Sequence, residues 1–241
     1  MSNSIVAISN KMARAAVAAS IALIMLCGAV AFAQNPQMEE KLMAFKQSQA
    51  ANKQKLAQYM WTETETISIK GEVKSTKTYQ VQMVNGQQQK TEVSQQAAQQ
   101  SGGREGRLKK KAIANKKEEF QEYGQSIGAL AKQYTTPNPD ALTKAKRAGN
   151  ISLVPGSGSV SIVVKNYVKQ GDTVTFTLEP QAKQLQSVTV DSYLDDPKDA
   201  VKISAQFAQL PDGTNHTAST LINGVSKQLT VNDVNSNYQK H

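Results

Sequence analysis

Ten short stretches that suit β-strands follow residue 60, and turn-forming residues separate most of them. The stretches alternate in residue type or are rich in Val, Ile and Thr, and the turns between them contain Gly, Pro, Asn and Asp, as in Asn85-Gly86. Because most connections are short, neighbouring strands are expected to pair antiparallel. The predicted strands cover residues 61–69, 76–84, 87–93, 151–154, 160–168, 173–179, 185–194, 201–209, 217–222 and 225–234.

Three helices are predicted around the first group of strands. Asn35-Pro36 places a capping residue before a proline at the first helical position, which predicts a helix over about 36–58. Apolar residues at helical spacing predict a long helix over about 106–134. Asn138-Pro139 begins a short helix that ends near Gly149.

This order of elements is typical of the α+β class. We expect a large curved antiparallel β-sheet, a half-barrel-like meander, with the N-terminal and inserted helices on one face. Residues 94–107 are rich in Gln, Ser and Gly and end in basic residues, which favours a flexible basic linker. Residues 34–241 are expected to form a single domain, because their number is sufficient for a substantial core.

The first 33 residues have the pattern of a secretory signal peptide. Lys11 and Arg14 precede an uncharged run over 15–32, and the segment closes on Ala31-Phe32-Ala33. A membrane anchor is the alternative, but the small residues at the end favour cleavage after Ala33. The protein is then expected in the periplasm or secreted. Cleavage removes two of the 28 basic residues and none of the 19 acidic ones, which leaves a net charge of +7.

Residue types that support most catalytic and metal chemistry are scarce. Cys27 is the single cysteine and lies in the predicted signal peptide, which excludes disulfides, thiolate metal sites and cysteine nucleophiles from the mature chain. His216 and His241 are the two histidines, and no Gly-x-Ser-x-Gly motif accompanies them. We therefore expect a loop histidine at 216, no metal, no cofactor and no enzyme, with a hydrolase as the less favoured alternative.

Three further motifs are interpreted as structural. Gly156-Ser157-Gly158 lacks the Lys-Ser/Thr ending of a phosphate loop and is interpreted as a strand connection. Aspartates crowd residues 191–199 without the spacing of a calcium loop, and Asp195-Asp196-Pro197 is typical of a turn. Glu63 and Glu65 lie on one face of a predicted strand, where we expect solvated carboxylates rather than an acid–base pair.

A basic block lies at the start of the long helix. Its charge favours contact with an anionic membrane or glycan surface, and a solvated helix face is the alternative. Nucleic acid is not an expected partner, because the protein is exported and no basic strand carries interleaved aromatic residues. The block contains Arg104, Arg107, Lys109, Lys110, Lys111, Lys116 and Lys117.

Several segments of the closing strands are similar to exported bacterial proteins. These segments are Asn166-Tyr167-Val168-Lys169-Gln170-Gly171-Asp172, Tyr193-Leu194-Asp195-Asp196-Pro197-Lys198-Asp199-Ala200, Leu210-Pro211-Asp212-Gly213-Thr214 and Asn235-Ser236-Asn237-Tyr238. Over most of the mature chain, the order of signal, helix, strands, inserted helices and closing meander resembles the periplasmic lipoprotein-carrier and lipoprotein-localisation fold. That resemblance implies a half-open antiparallel barrel whose helices cover an apolar cavity, with lipid or lipoprotein acyl chains as partners.

We therefore expect a periplasmic non-enzymatic protein that binds an apolar or amphipathic, lipid-like ligand between sheet and helices. The alternative is a structural or adaptor protein of the cell envelope that docks on anionic surfaces through its basic helix. A cavity favours the first function, and a filled sheet–helix interface favours the second. The candidate ligand-lining residues, which the alternative treats as plain core, are Tyr79, Val81, Met83, Phe120, Ile127, Leu130, Ile162, Val164, Phe176, Leu178, Val188 and Val190.

Overall fold

A computed structural model describes residues 50–97, 107–135, 139–179 and 184–240 of the chain. The predicted signal peptide and the first part of the predicted N-terminal helix lie outside these residues, which begin with a short helical segment over 50–56. No helix within the described ranges is long and apolar enough to cross a membrane. The elements are β1 (Tyr59–Ile69), β2 (Glu72–Val84), β3 (Gln87–Ala97), α1 (Arg107–Thr135), α2 (Pro139–Arg147), β4 (Ile151–Pro155), β5 (Val160–Lys165), β6 (Thr173–Glu179), β7 (Gln184–Tyr193), β8 (Ala200–Gln209), β9 (Asn215–Gly224) and β10 (Leu229–Lys240).

The ten strands form one antiparallel sheet in the order β3-β2-β1-β10-β9-β8-β7-β6-β5-β4. The predicted large antiparallel sheet is therefore confirmed. The first three strands join the other seven through the pairing of β1 with β10, in which Glu65 lies opposite Asp233. The sheet is not closed, since β3 and β4 are its two edges.

Alternation along the strands buries one face of the sheet. In β1 the buried residues are Tyr59, Trp61, Glu63, Glu65 and Ile67, and the residues between them are half-exposed. Successive side chains of a strand point to opposite faces, so these five share one face. The same alternation recurs in β2, β7 and β8.

The main apolar core contains residues of both the sheet and α1. Ile127 and Leu130 of α1 belong to the same buried cluster as Val174, Val190 and Ile222 of the sheet. A second cluster joins three residues of β1 and β2, namely Trp61, Tyr79 and Val81. The ring of Tyr238 stacks on Trp61 at a centroid distance of 5.3 Å and closes this second cluster.

Gly224 allows α1 to lie close to the sheet. A Cβ atom at Gly224 would be 2.4 Å from Ile127 Cδ1 and 2.6 Å from Tyr123 Cε1, which real atoms do not tolerate. The prediction that Asn223-Gly224 separates two strands is wrong, because β9 continues through Gly224 and the turn follows at 225–228. The glycine is required for packing rather than for a turn.

Two other predicted boundaries are wrong. The predicted strand over 160–168 ends at Lys165, because the buried Asp172 carboxylate accepts the N–H groups of Tyr167, Val168 and Lys169 at 2.6, 2.9 and 2.9 Å. These backbone donors are thereby removed from the sheet ladder. The predicted linker over 94–107 also shrinks, since β3 runs to Ala97 and α1 begins at Arg107, while 98–106 lie outside the described residues.

Candidate functional site

Turns at one end of the sheet meet the first half of α1. Lys70 lies in the β1–β2 turn, and its N–H donates to the carbonyl of Gln228 in the β9–β10 turn at 2.8 Å. In the β7–β8 loop, the N–H of Leu194 donates to the carbonyl of Asp199 at 3.0 Å, which brings that loop back on itself. Antiparallel order places all three connections at the same end of the strands.

An open groove of about 540 Å³ lies where these turns face α1. This volume lies within the range of roughly 300–1,000 Å³ that small-molecule sites have. We call it the lysine groove, after three of its residues. Its lining consists of Lys70, Glu119, Phe120, Asp196, Lys198, Asp199, Ser226 and Lys227.

Side-chain contacts neutralise one part of the lysine groove. The hydroxyl of Tyr123 donates to Asp199 Oδ1 at 3.0 Å, and Ser226 Oγ contacts both groups. Lys227 pairs with Glu119 and lies 5.7 Å from the ring centroid of Tyr123. Burial raises the pKa of the Tyr123 phenol, which therefore remains a donor. These contacts tie α1 to the turns.

Two ammonium groups of the lysine groove form no ion pair within the described residues, and the carboxylates of Asp196 and Asp199 line the same groove. Within the described residues, neither the Lys70 nor the Lys198 ammonium has an ion-pair or hydrogen-bond partner, and both side chains are exposed. Asp196 uses Oδ1 to accept the backbone N–H of Lys198 at 2.8 Å, as a turn-forming aspartate does. Phe120 borders the same groove and packs against the main core cluster. The groove therefore combines free cationic groups with an apolar ring.

A second unusual region is a buried group of ionisable side chains on β1, β2, β3 and β10. Glu63, Glu65, Lys77 and Asp233 are at most 4% exposed. The prediction that Glu63 and Glu65 are solvated is therefore wrong. Strand pairing places Asp233, Glu65 and Lys77 in one row across three strands, and Glu63 and Tyr79 in the next. Their face of the sheet is covered, so the charges are removed from water.

Lysines pair with only part of this buried group. Lys90 pairs with Glu63, and Lys77 pairs with Glu92 at 3.0 Å. Three buried polar atoms have no hydrogen-bond partner among the described residues, namely Oε1 of Glu65, Oδ1 of Asp233 and the hydroxyl of Tyr79. Burial raises the pKa of Glu65 to about 7 and the pKa of Asp233 well above its ordinary value, because the charged forms lose hydration.

The twelve predicted ligand-lining residues are divided between the two apolar clusters. Tyr79 and Val81 belong to the second cluster, and Met83 packs against it. Phe120 also lines the lysine groove. The remaining eight belong to the main core cluster or pack against it, and they are Ile127, Leu130, Ile162, Val164, Phe176, Leu178, Val188 and Val190.

The predicted surface-contact residues lie on or before α1. The backbone places Arg107, Lys109–Lys111, Lys116 and Lys117 in the first half of this helix, and Arg104 lies outside the described residues. Most of the basic block therefore lies on one helix.

His216 is part of an aromatic group rather than a loop. It lies in β9, is 8% exposed, and its ring centroid is 4.2 Å from that of Tyr238. Its Nδ1 is 3.1 Å from the carbonyl oxygen of Thr217. Burial lowers the pKa of His216, so the neutral ring is favoured at neutral pH. The predicted loop position is wrong.

The other interpreted motifs have structural roles. Gly156-Ser157-Gly158 connects β4 to β5, and the N–H of Gly156 donates to the carbonyl of Ser159 at 2.9 Å. Asp196 and Asp199 form the β7–β8 turn. Among the described residues, no group of three or more His, Cys, Asp or Glu side chains could hold a metal ion.

Sequence reasoning missed the lysines that form the groove. Lys70, Lys198 and Lys227 come from three turns far apart in the chain, and each follows or precedes ordinary turn residues. A usable signal was the repeated presence of lysine in turns that antiparallel order brings to one end of the sheet.

Comparisons with protein-family models, with curated proteins and with solved structures found no match to this chain.

Proposed function

We propose that this protein is exported to the periplasm or beyond, is not an enzyme, and binds an amphipathic, lipid-like ligand with an anionic head at the lysine groove. The proposal depends on one observation: the ammonium groups of Lys70 and Lys198, which form no ion pair within the described part of the chain, lie beside the partly buried ring of Phe120. A carboxylate or phosphate head would accept hydrogen bonds from the two lysines. The apolar part of the ligand would lie along Phe120.

In this proposal the helices lie on one face of a curved, half-open sheet, as in the lipoprotein carriers that the sequence resembles. One-sided burial along β1, β7 and β8 supports this arrangement, because a single apolar face needs a cover. The shared cluster of Ile127 and Leu130 with sheet residues supports a position of α1 on that face. The groove then lies at the open margin between cover and sheet.

The contacts of the groove favour binding over catalysis. Ser226 contacts the carboxylate of Asp199 directly. His216, the histidine within the described residues, contacts Thr217 and Tyr238 instead of Ser226. Ser226 thus has no imidazole base from the described part of the chain, and activation of a serine normally needs such a base.

Fluorescent fatty-acid binding tests the proposal. The wild type should bind a fluorescent fatty acid more tightly than the corresponding fatty alcohol, because only the acid offers a charge to the lysines. The double variant K70Q/K198Q should bind the acid at least tenfold more weakly, since the loss of a charge-assisted hydrogen bond costs about 1.5–3 kcal/mol. Added salt should weaken the wild-type interaction.

The matched control is K165Q/K202Q. Lys165 and Lys202 are exposed strand residues outside the groove, so this variant loses the same charge. It should retain wild-type affinity for the fatty acid. Equal loss in both double variants, or equal affinity of the wild type for the acid and the alcohol, would contradict an anionic-head site at the groove.

A second function has one observation in its favour. The close approach of Ile127 and Tyr123 to Gly224 leaves no room at that point of the interface, as expected of a filled core. A filled interface favours the structural or adaptor role, in which the basic helix docks on anionic membranes or glycans. Failure of the wild type to bind the fatty acid, together with binding to anionic vesicles, would favour this role.

A further inference from the structure

We infer that the pairing of β1 with β10 is a proton-dependent latch, in which Glu65 and Asp233 hold a proton between them when the strands are paired. These strands form the seam between the first three strands of the sheet and the other seven. Loss of the proton should weaken the seam in preference to the rest of the sheet.

The geometry of the pair requires compensation. Glu65 and Asp233 are opposite each other in the β1–β10 register, and they are 2% and 4% exposed. Side chains directly opposite on one face of an antiparallel pair have Cβ atoms about 4.5–5.5 Å apart. Two ionised carboxylates at that distance repel strongly where water cannot screen them. A shared proton removes one charge and supplies a hydrogen-bond donor for Oε1 of Glu65 or Oδ1 of Asp233, both of which lack a partner.

The surrounding charges do not neutralise the pair. The described carboxyl groups on this part of the sheet are those of Glu63, Glu65, Glu92 and Asp233, and the ammonium groups are those of Lys77 and Lys90. Lys77 pairs with Glu92, and Lys90 pairs with Glu63. On the other side of β10, Thr220 of β9 lies opposite Asp233 and carries no charge. The titratable groups that interact with the pair are Glu63 on β1, Lys77 and Tyr79 on β2, and Lys90 and Glu92 on β3.

The direction of the pH effect follows from the raised pKa values. Burial raises the pKa of Glu65 to about 7 in the folded protein, from an ordinary value of 4.5. The proton therefore contributes stability that is complete below pH 4.5 and is lost as the pH rises through about 7. Proton linkage gives a loss on the order of fiftyfold in the folding equilibrium constant between pH 5 and pH 8.

His216 contributes an effect of the opposite sign in the same range. Burial lowers its pKa, so the stability that it contributes is present above its ordinary pKa of 6.5 and is lost as the pH falls. The latch is therefore measured as a difference between variants and wild type, all of which retain His216.

Urea unfolding of the full chain between pH 5 and pH 8 tests the latch. Compared with the wild type, E65Q and D233N should lose less stability as the pH rises, because an amide resembles the protonated carboxyl and cannot ionise. E72Q and D191N are the matched controls, since Glu72 and Asp191 are exposed carboxyls on other strands of the same sheet. Both controls should keep the wild-type pH dependence. Profiles of E65Q and D233N that run parallel to the wild type would overturn the proposal.

Two measurements on the wild type remain decisive if a variant fails to fold. Infrared spectroscopy at pH 7 should detect a protonated carboxyl in the folded protein, and its absence would overturn the shared proton. Hydrogen exchange, corrected for the intrinsic rate, should show that amides of β1 and β10 lose more protection than those of β6 and β7 between pH 6 and pH 8. Uniform loss across the sheet would overturn a latch located at the seam.

Discussion

At the scale of single residues, Gly224 sets the distance between α1 and the sheet. We predict that Gly224→Ala lowers the free energy of unfolding by about 1–3 kcal/mol, because the new methyl group would overlap Ile127 and Tyr123. Urea unfolding of the variant and the wild type measures this loss.

A double-mutant cycle identifies the cause. Ile127→Val removes Cδ1, the atom that lies 2.4 Å from the new Cβ position. Gly224→Ala should therefore cost less in the Ile127→Val background than in the wild type, with a coupling energy of at least about 0.5 kcal/mol. Strictly additive losses would contradict close packing as the origin of the effect.

Glu63 and Glu65 mark the limit of prediction for individual residues. Alternation along β1 correctly predicted that they share a face, because side-chain direction follows from backbone geometry. Their burial was missed because it depends on the strands that pair with β1, and Asp233 of β10 is distant in sequence. Local patterns contain no information on that pairing. Two glutamates on one face of a strand are equally compatible with a strand exposed to solvent.

At the scale of elements, the helices and strands were largely predictable. The predicted helix over 106–134 corresponds to α1 at Arg107–Thr135, because its apolar stripe is long and regular. Predicted boundaries were wrong where a nearby side chain accepts the backbone N–H groups that follow a strand, or where packing requires a glycine. Asp172 and Gly224 are the two examples, and neither role is visible in local propensity.

The first half of α1 carries the basic block. We predict that K109Q/K110Q/K111Q unfolds at nearly the wild-type urea concentration, since the described contacts of α1 with the core begin at Phe120. The variant should bind more weakly to vesicles that contain anionic lipid, and added salt should weaken wild-type binding in the same way.

A variant of equal charge serves as the control for that experiment. K55Q/K165Q/K202Q removes three exposed lysines outside α1, and it should keep most of the vesicle binding. Equal losses in both triple variants would assign the effect to net charge rather than to the helix. Failure of the wild-type protein to bind anionic vesicles at low salt would contradict contact between the protein and a membrane.

At the scale of the whole molecule, antiparallel order assembles the lysine groove. Lys70, Lys198 and Lys227 lie in different turns, and the sheet order brings these turns to one end beside α1. The predicted strands and their short connections imply that alternate turns of the sheet lie at the same end. The approach of these three turns was not predictable, because no local pattern of residues indicates that β1 pairs with β10, and that pairing places the Lys70 turn beside the other two.

The most direct test of the proposed ligand is a nuclear magnetic resonance titration of isotope-labelled protein with decanoate, an anionic amphiphile small enough for the groove. We predict saturable chemical-shift changes at Lys70, Phe120 and Lys198 that are absent with decanol and strongly reduced in K70Q/K198Q. Changes confined to other parts of the sheet, or no saturable change at all, would contradict an anionic amphiphile site at the lysine groove.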